Sequence, residues 1–152
     1  MPSPKPPNPA LLLDNQLCFA LYSASLAMTK LYKPLLEALG LTYPQYLVML
    51  VLWEHNGLTV SALGERLSLD SGTLTPLLKR MEQAGLLLRQ RCVDDERRVQ
   101  VVLTPVGTEL QTRAAQVPDC VIAQTGCKLP EVVALTRQLQ QLRAQMATVQ
   151  AP

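Results

Sequence analysis

Residues 59–104 constrain the fold of this chain more than any other stretch, because several structural signals follow one another there without a gap. Residues 59–69 have the apolar spacing of a short helix. Residues 70–85 predict a second helix, whose first turn can be capped by Asp70 or Ser71 and which ends at a glycine. So few residues separate the two helices that a tight turn must join them.

Two short strands are predicted after the second helix, over residues 86–92 and 99–104. Between them lies a highly charged segment, residues 93–98, which we expect to be the tip of a hairpin. Two helices joined by a tight turn and followed by a charged hairpin predict a mainly α fold with a small β-hairpin wing, a winged helix-turn-helix. In that arrangement the second helix enters the major groove of DNA and the hairpin reaches the adjacent minor groove.

The second predicted helix and the wing carry side chains suited to double-stranded DNA, because short hydroxyl groups approach base edges and basic groups bind phosphates. The helix alone does not establish DNA binding, since serine and threonine also cap helices and basic side chains also cover solvated faces. The charged hairpin that follows it favours the DNA-binding interpretation. We expect Arg97 to insert into the minor groove, with Asp95 orienting its guanidinium group. Pro76 lies inside the predicted helix and is expected to cause a bend or local strain. The predicted DNA contacts are Ser71, Thr73, Thr75, Lys79, Arg80, Arg89, Asp95 and Arg97.

The charge balance predicts a local rather than a global DNA-binding surface. The formal net charge is only +2, but residues 71–98 contain six basic and four acidic side chains. That excess is small, so a homodimer that doubles the surface is expected to matter for DNA binding.

The motifs in these segments resemble a known family. Residues 69–82, LDSGTLTPLLKRME, together with the wing sequence Asp94-Asp95-Glu96-Arg97, resemble the MarR family of dimeric winged-helix repressors. Residues 14–22, DNQLCFALY, and 41–46, LTYPQY, resemble more narrowly its organic-hydroperoxide-sensing branch, OhrR. The resemblance extends over roughly residues 13–146. It implies a homodimeric repressor of a pseudo-palindromic operator, with an organic hydroperoxide as inducer.

The remaining segments predict a domain organisation around the DNA-binding part. Residues 1–12 are expected to form a disordered proline-rich tail, and residues 13–42 an N-terminal sensor and dimerisation helix that Asp14 caps and Gly40 ends. Residues 43–104 form the predicted winged helix-turn-helix domain, and residues 105–150 C-terminal dimerisation helices interrupted at Pro118. The first and last helices carry heptad seams, which favour packing against other helices: Leu17, Leu21, Ala24, Met28, Leu31 and Leu35 in the first, and Val132, Leu135, Leu139, Leu142, Met146 and Val149 in the last.

Cys18 is the candidate redox sensor. A helical cysteine is usually a small buried apolar residue, but Cys18 lies near a helix start and on a polar stripe, and both features stabilise a reactive thiolate. Tyr32 has nearly the same azimuth but lies about 21 Å further along the helix, so it can reach Cys18 only in an antiparallel partner chain. The resemblance implies that Tyr32 and Tyr43 donate hydrogen bonds to the sensing thiolate across the dimer. It also implies a peroxide pocket lined by Phe19, Tyr22 and Tyr46.

The other three cysteines are assigned unevenly. Some members of the resembled branch use a resolving cysteine in the C-terminal region of the other subunit, which makes Cys127 the first candidate for a two-cysteine sensor. Cys120 remains an alternative, because it also flanks a break between helices. Cys92 ends a wing strand and is expected to be structural.

Several other classes find little support. One histidine and the absence of a Cys-x-x-Cys pair argue against a metal site, and no cofactor-binding or nucleophile motif is present, so we expect a protein that is not an enzyme. No membrane span or signal peptide is visible, which predicts a cytoplasmic location and reduced thiols. Two alternatives remain open: a repressor of the same fold gated by a small phenolic ligand and, less favoured, a thiol peroxidase.

Overall fold

The computed structural model describes residues 1–150 and divides into two compact units, Met1–Ala115 and Gln116–Pro152. The first unit contains five α-helices and one hairpin: α1 (Leu17–Glu37), α2 (Tyr43–Glu54), α3 (Val60–Leu67), α4 (Ser71–Gln83), β1 (Leu87–Arg91), β2 (Val99–Leu103) and α5 (Pro105–Ala114). The second contains α6 (Val117–Thr125) and α7 (Leu129–Gln150). The predicted mainly α fold with a small β-hairpin is confirmed.

The helices of the DNA-binding part begin where the sequence predicts, because their caps are local. Thr42 and Gln45 form a reciprocal capping box at the start of α2, where the Thr42 backbone N–H donates to Gln45 Oε1 at 3.0 Å. Asp70 Oδ1 accepts from the Thr73 backbone N–H at 2.7 Å, and this bond holds the pKa of Asp70 below its usual value. Gly85, with φ of +80°, turns the chain out of α4 and into β1.

The start of α1 differs from the prediction. Asp14 does not cap this helix; it lies in a separate 3-10 turn, Leu13–Asn15, and α1 begins after Gln16 without a side-chain cap. Within the segment predicted to be a disordered tail, Pro9–Leu11 forms another 3-10 turn. Side-chain amides close these turns in place of a helix cap: Asn15 Nδ2 donates to Pro9 O at 2.8 Å, and Gln16 Nε2 donates to Ala10 O at 2.9 Å.

The hairpin is anchored to the segment that precedes α3. β1 and β2 pair antiparallel, from Leu87 opposite Leu103 to Arg91 opposite Val99. On the other side of β2, the Val101 backbone N–H donates to Leu58 O at 2.8 Å, and Thr59 forms a bridge with Gln100. Further bonds tie the same two segments, from Gln100 Nε2 to Gly57 O and from the Leu103 N–H to Asn56 Oδ1. The base of the wing is therefore part of the DNA-binding domain.

The core of the first unit is apolar, and among residues 1–150 no polar or charged residue is buried. The α3–α4 pair packs on α2 and the hairpin through side chains whose burial contributes about 1.5–3 kcal/mol each. Gly107 lets α5 approach the hairpin, since a Cβ at this position would overlap the Leu86 carbonyl oxygen. The carbonyl of Gly107 in turn accepts from Trp53 Nε1 at 2.9 Å. The fully buried members are Leu36, Val48, Met49, Leu52, Leu63, Leu74, Leu78, Met81, Leu87 and Val101.

The two long helices leave apolar faces uncovered in a single chain. In α1 only Leu36 is buried, and seam residues such as Leu17 and Met28 are exposed. In α7 no residue is buried, and Leu135 and Leu139 are exposed. Neither helix has the length and apolarity needed to cross a membrane, and the same holds for every other helix in the described residues.

The second unit departs from the prediction at one point. Pro118 does not break a helix; it occupies the first turn of α6, where its missing N–H needs no partner. The break falls just before it, at the end of α5.

Candidate nucleic-acid interface and thiol site

One face of α4 is exposed and polar, and the opposite face is buried. The buried stripe consists of Leu74, Leu77, Leu78 and Met81. The exposed face carries all five predicted contacts on this helix: Ser71, Thr73, Thr75, Lys79 and Arg80. Because helix packing fixes the orientation of α4, these side chains are presented together to solvent.

The wing presents Arg97 almost free in solvent, with its side chain 93% exposed. Asp95 contacts both the backbone and the side chain of Arg97. Its Oδ1 accepts from the Arg97 backbone N–H at 3.0 Å and lies 3.5 Å from Arg97 Nε. The Arg98 backbone N–H donates to Asp95 O, and the Arg98 carbonyl accepts from the Cys92 N–H at 2.8 Å, which extends the hairpin toward its tip. This geometry fits the predicted role of Asp95 in orienting the guanidinium group.

Arg89 is in a different situation from the other predicted contacts. Its backbone N–H and its Nε both donate to Glu82 Oε2, at 2.9 and 3.0 Å. These bonds lower the pKa of Glu82. The carboxylate partly neutralises Arg89, so its contribution to phosphate binding is smaller than that of a free arginine.

A cleft of about 360 Å³ lies between the start of α3, α4 and the hairpin. Its polar and charged lining residues are Thr59, Ser61, Thr75, Arg89, Arg97 and Arg98. The positive end of the α3 dipole and three arginines make this cleft favourable for an anion such as a DNA phosphate. Thr59 and Ser61 were missed at the sequence level, although the N-cap position of Thr59 on the first helix of the motif was a usable signal.

Cys18 is exposed in the first turn of α1. Phe19 and Tyr22, predicted to line a peroxide pocket, are also exposed on this helix, by 37% and 61%. These three residues therefore lie on an open surface of the single chain rather than in a closed pocket.

Three tyrosines form a cluster where α1 meets α2. The ring centroids of Tyr32 and Tyr43 are 5.0 Å apart, and those of Tyr32 and Tyr46 are 5.8 Å apart. Burial raises the pKa of all three hydroxyls, and that of Tyr46 reaches about 12. They therefore remain protonated at neutral pH and can donate hydrogen bonds.

A single chain does not bring the thiol and these donors together. Cys18 and Tyr32 are fourteen residues apart on one continuous helix, which separates them by about 21 Å along the axis. The predicted residues thus fall into two groups, with Tyr46 joining Tyr32 and Tyr43 rather than Phe19 and Tyr22.

The other cysteines are free thiols as well. Cys92 and Cys120 are partly buried, while Cys127 is exposed in the link between α6 and α7. The Cys127 backbone N–H donates to Thr125 Oγ1 at 3.2 Å. Within residues 1–150, no three His, Cys, Asp or Glu side chains are grouped so that they could hold a metal ion.

Comparison with known proteins decides the family. The MarR family pattern matches residues 41–99. The organic hydroperoxide resistance transcriptional regulator of Bacillus subtilis (strain 168) is 57% identical over 110 residues, which cover 72% of this chain and 75% of that protein. The chain belongs to the MarR family. The resemblance to the OhrR branch is confirmed as well, and this MarR protein is a DNA-binding transcriptional regulator.

Solved structures agree with this assignment. The structure of reduced AbfR bound to DNA has a TM-score of 0.78 and 36% identity with this MarR protein, covering 89% of this chain and 94% of that one. The structure of disulfide-formed AbfR has a TM-score of 0.61 and 35% identity, covering 90% and 91%. Both AbfR structures therefore share the winged-helix fold of this chain.

Proposed function

We propose that this protein is a homodimeric repressor that binds a pseudo-palindromic operator while its thiols are reduced and releases it when an organic hydroperoxide oxidises Cys18. The relative from Bacillus subtilis supports the inducer class, and the AbfR structures support a redox-dependent regulator of this fold. Reduced thiols and operator DNA both suit a cytoplasmic location.

One observation supports the proposal most directly. Cys18 lies at one end of α1, and three protonated tyrosines lie at the other end, where α1 meets α2. Cys18 and Tyr32 lie seven residues on either side of Ser25. Two antiparallel α1 helices related by a two-fold axis near Ser25 would therefore place each Cys18 beside Tyr32 of the other chain. The exposed apolar side chains of α1 would be covered in the same step.

The chemistry at Cys18 is a two-electron oxidation. The thiolate attacks the terminal, hydroxyl-bearing oxygen of the hydroperoxide and the O–O bond breaks. Cysteine becomes a sulfenic acid, and the alkoxide that leaves takes up a proton and becomes an alcohol. The hydroxyls of Tyr32 and Tyr43 donate hydrogen bonds that stabilise the thiolate before the attack. Phe19, Tyr22 and Tyr46 supply apolar surface that suits an organic rather than an inorganic peroxide.

The sulfenic acid then condenses with a resolving thiol of the other subunit and releases water, which leaves an intersubunit disulfide. Cys127 is the proposed partner, because it is exposed between two helices and its thiol is accessible. Cys120 is the alternative and is partly buried. The new bond would alter the spacing of the two DNA-binding domains and so lower operator affinity.

The test is an operator shift assay with reduced protein, with protein treated with an organic hydroperoxide, and with treated protein that is then reduced. We expect binding, loss of binding and recovery in that order. Cys18→Ser is the matched variant: it should bind the operator and ignore peroxide, because a hydroxyl cannot form a sulfenic acid. Release of this variant by peroxide would exclude Cys18 as the sensor.

Two other functions give different results. When peroxide turnover is measured with a thiol reductant, a thiol peroxidase would consume peroxide continuously, whereas a sensor would consume about one equivalent per subunit. A repressor gated by a phenolic ligand would be released by that ligand even when Cys18 is replaced by serine.

A further inference from the structure

The two turns that precede α1 form an ordered segment whose apolar side chains have no cover. We call residues 9–16 the leucine arm. Its shape is fixed by the Asn15 and Gln16 amides, and Gln16 Nε2 donates to both Ala10 O and Leu12 O, at 2.9 and 2.8 Å. Yet Leu11 and Leu13 are 81% and 58% exposed. An ordered segment with exposed leucines is expected to meet another surface.

A groove of about 330 Å³ lies at the corner between α1 and α2. Buried Leu36 and Leu41 and half-buried Tyr43 line its apolar part. Charged side chains stand at its edge, and they are Lys30, Lys33 and Glu37. Tyr43 thus belongs both to this groove and to the proposed thiolate site.

The register of the proposed dimer aligns the arm with this groove. If Cys18 of one chain lies beside Tyr32 of the other in antiparallel helices, each residue before Cys18 lies beside one further toward the C-terminus of the partner's α1. The arm directly precedes α1. The same pairing therefore places it near the C-terminal end of the partner's α1, where Leu36 and Glu37 line the groove.

We propose that the groove of each subunit receives the leucine arm of the other subunit. Leucine side chains fill the apolar part, and Asp14, the acidic residue of the arm, lies beside Lys33 at the basic edge of the groove. The docked arm fixes the first turn of α1, so that Cys18 is positioned next to Tyr43. This inference rests on the proposed function only through the pairing of Cys18 with Tyr32.

A disulfide-trapping experiment tests the register. In a chain whose four native cysteines are replaced by serine, Leu13→Cys is combined with Glu37→Cys. Mild oxidation should give disulfide-linked dimers, because the two Cα atoms would lie within the roughly 7 Å that a disulfide spans. The matched control combines Leu13→Cys with Lys30→Cys, which lies two helical turns and about 10 Å out of register and should give little linked dimer. Operator binding under reducing conditions shows that both variants are folded.

Three results overturn the proposal: equal linking in both pairs, no linking in either pair, or a disulfide within one chain. Equal linking means that the arm has no fixed position. No linking leaves the groove to another occupant, such as a small aromatic acid, and a bond within one chain assigns the groove to that chain's own arm. These outcomes are separable from the sensing test, since linking can occur without peroxide sensitivity and peroxide sensitivity can occur without linking.

A charge exchange gives a second measurement. Asp14→Lys and Lys33→Asp should each weaken the dimer, by roughly threefold to tenfold at low salt, because each exposed pair contributes little and occurs twice. The double variant should regain most of the loss. Its failure to do so in a sedimentation measurement of the dimer dissociation constant would overturn the pairing of Asp14 with the basic edge.

Discussion

Replacing Tyr46 by phenylalanine should make the protein less sensitive to alkaline pH without changing its stability at neutral pH. The Tyr46 ring is buried and only 3% of the residue is exposed, while no hydrogen bond to its hydroxyl is found in the described part of the chain. Loss of the hydroxyl should therefore alter the free energy of unfolding at pH 7 by no more than about 0.5 kcal/mol.

The magnitude at high pH follows from the raised pKa. Burial, with the neighbouring tyrosines, raises the pKa of Tyr46 from 10.0 to about 12, so the folded state disfavours the phenolate. Protonated Tyr46 therefore makes its full contribution to the free energy of unfolding below pH 10, and this contribution is lost as the pH rises through 12. The free energy of unfolding falls, because of Tyr46, by about 1.4 kcal/mol at pH 11 and by an amount that approaches about 2.7 kcal/mol above pH 12.

The assay is urea unfolding of the parent and of Tyr46→Phe between pH 8 and 11.5, with reductant and at a fixed protein concentration. The two free energies should agree at pH 8 and diverge in favour of the variant above pH 10. Tyr22→Phe is the control, because Tyr22 is 61% exposed, and its curve should follow the parent. If the curve of Tyr46→Phe also remains parallel to the parent up to pH 11.5, the burial argument is wrong.

Three further predictions concern the wing, the resolving thiol and the core. Arg97→Ala should weaken operator binding by about 1–3 kcal/mol without changing dimerisation, whereas Lys5→Ala should have little effect; unchanged affinity in a shift assay would remove the wing from recognition. Cys127→Ser should abolish the peroxide-induced linked dimer on a non-reducing gel while Cys120→Ser retains it, and the opposite pattern would reverse the assignment. Gly107→Ala should lower the free energy of unfolding, measured in urea, by about 1–3 kcal/mol, because the new methyl group overlaps a backbone carbonyl. A variant as stable as the parent would show that α5 can shift.

The DNA-binding domain was largely predictable because its signals are local. The Asp70 cap, the glycine that ends α4 and the alternating strand each depend on neighbours within a few residues, and the structure has all of them. The start of α1 was mispredicted for the opposite reason. The bonds from Asn15 and Gln16 reach back six residues to backbone carbonyls, and no cap or periodicity rule describes them.

The predicted sites divide in the same way. Arg89 was predicted to contact DNA because it is a basic residue of the hairpin. Its pairing with Glu82 depends on how α4 turns into β1, which sequence spacing does not specify. Tyr46 was grouped with Phe19 and Tyr22 by resemblance, and within a single chain its ring packs against Tyr32 and Tyr43. The sensor site is the least predictable part, because its two halves belong to different ends of one helix.

The attachment of the wing at its base has a consequence for how such a protein can evolve. Backbone and side-chain bonds from residues 56–59 hold β2, whereas the hydrogen bonds of the tip, residues 93–98, stay within the hairpin. Insertions, deletions or charge changes at the tip can therefore accumulate while β1 and β2 stay paired. The outer edge of β2 also stays covered, so it is not available for the addition of another strand. Minor-groove preference is thus free to drift between descendants, while the geometry that aims the hairpin is inherited unchanged.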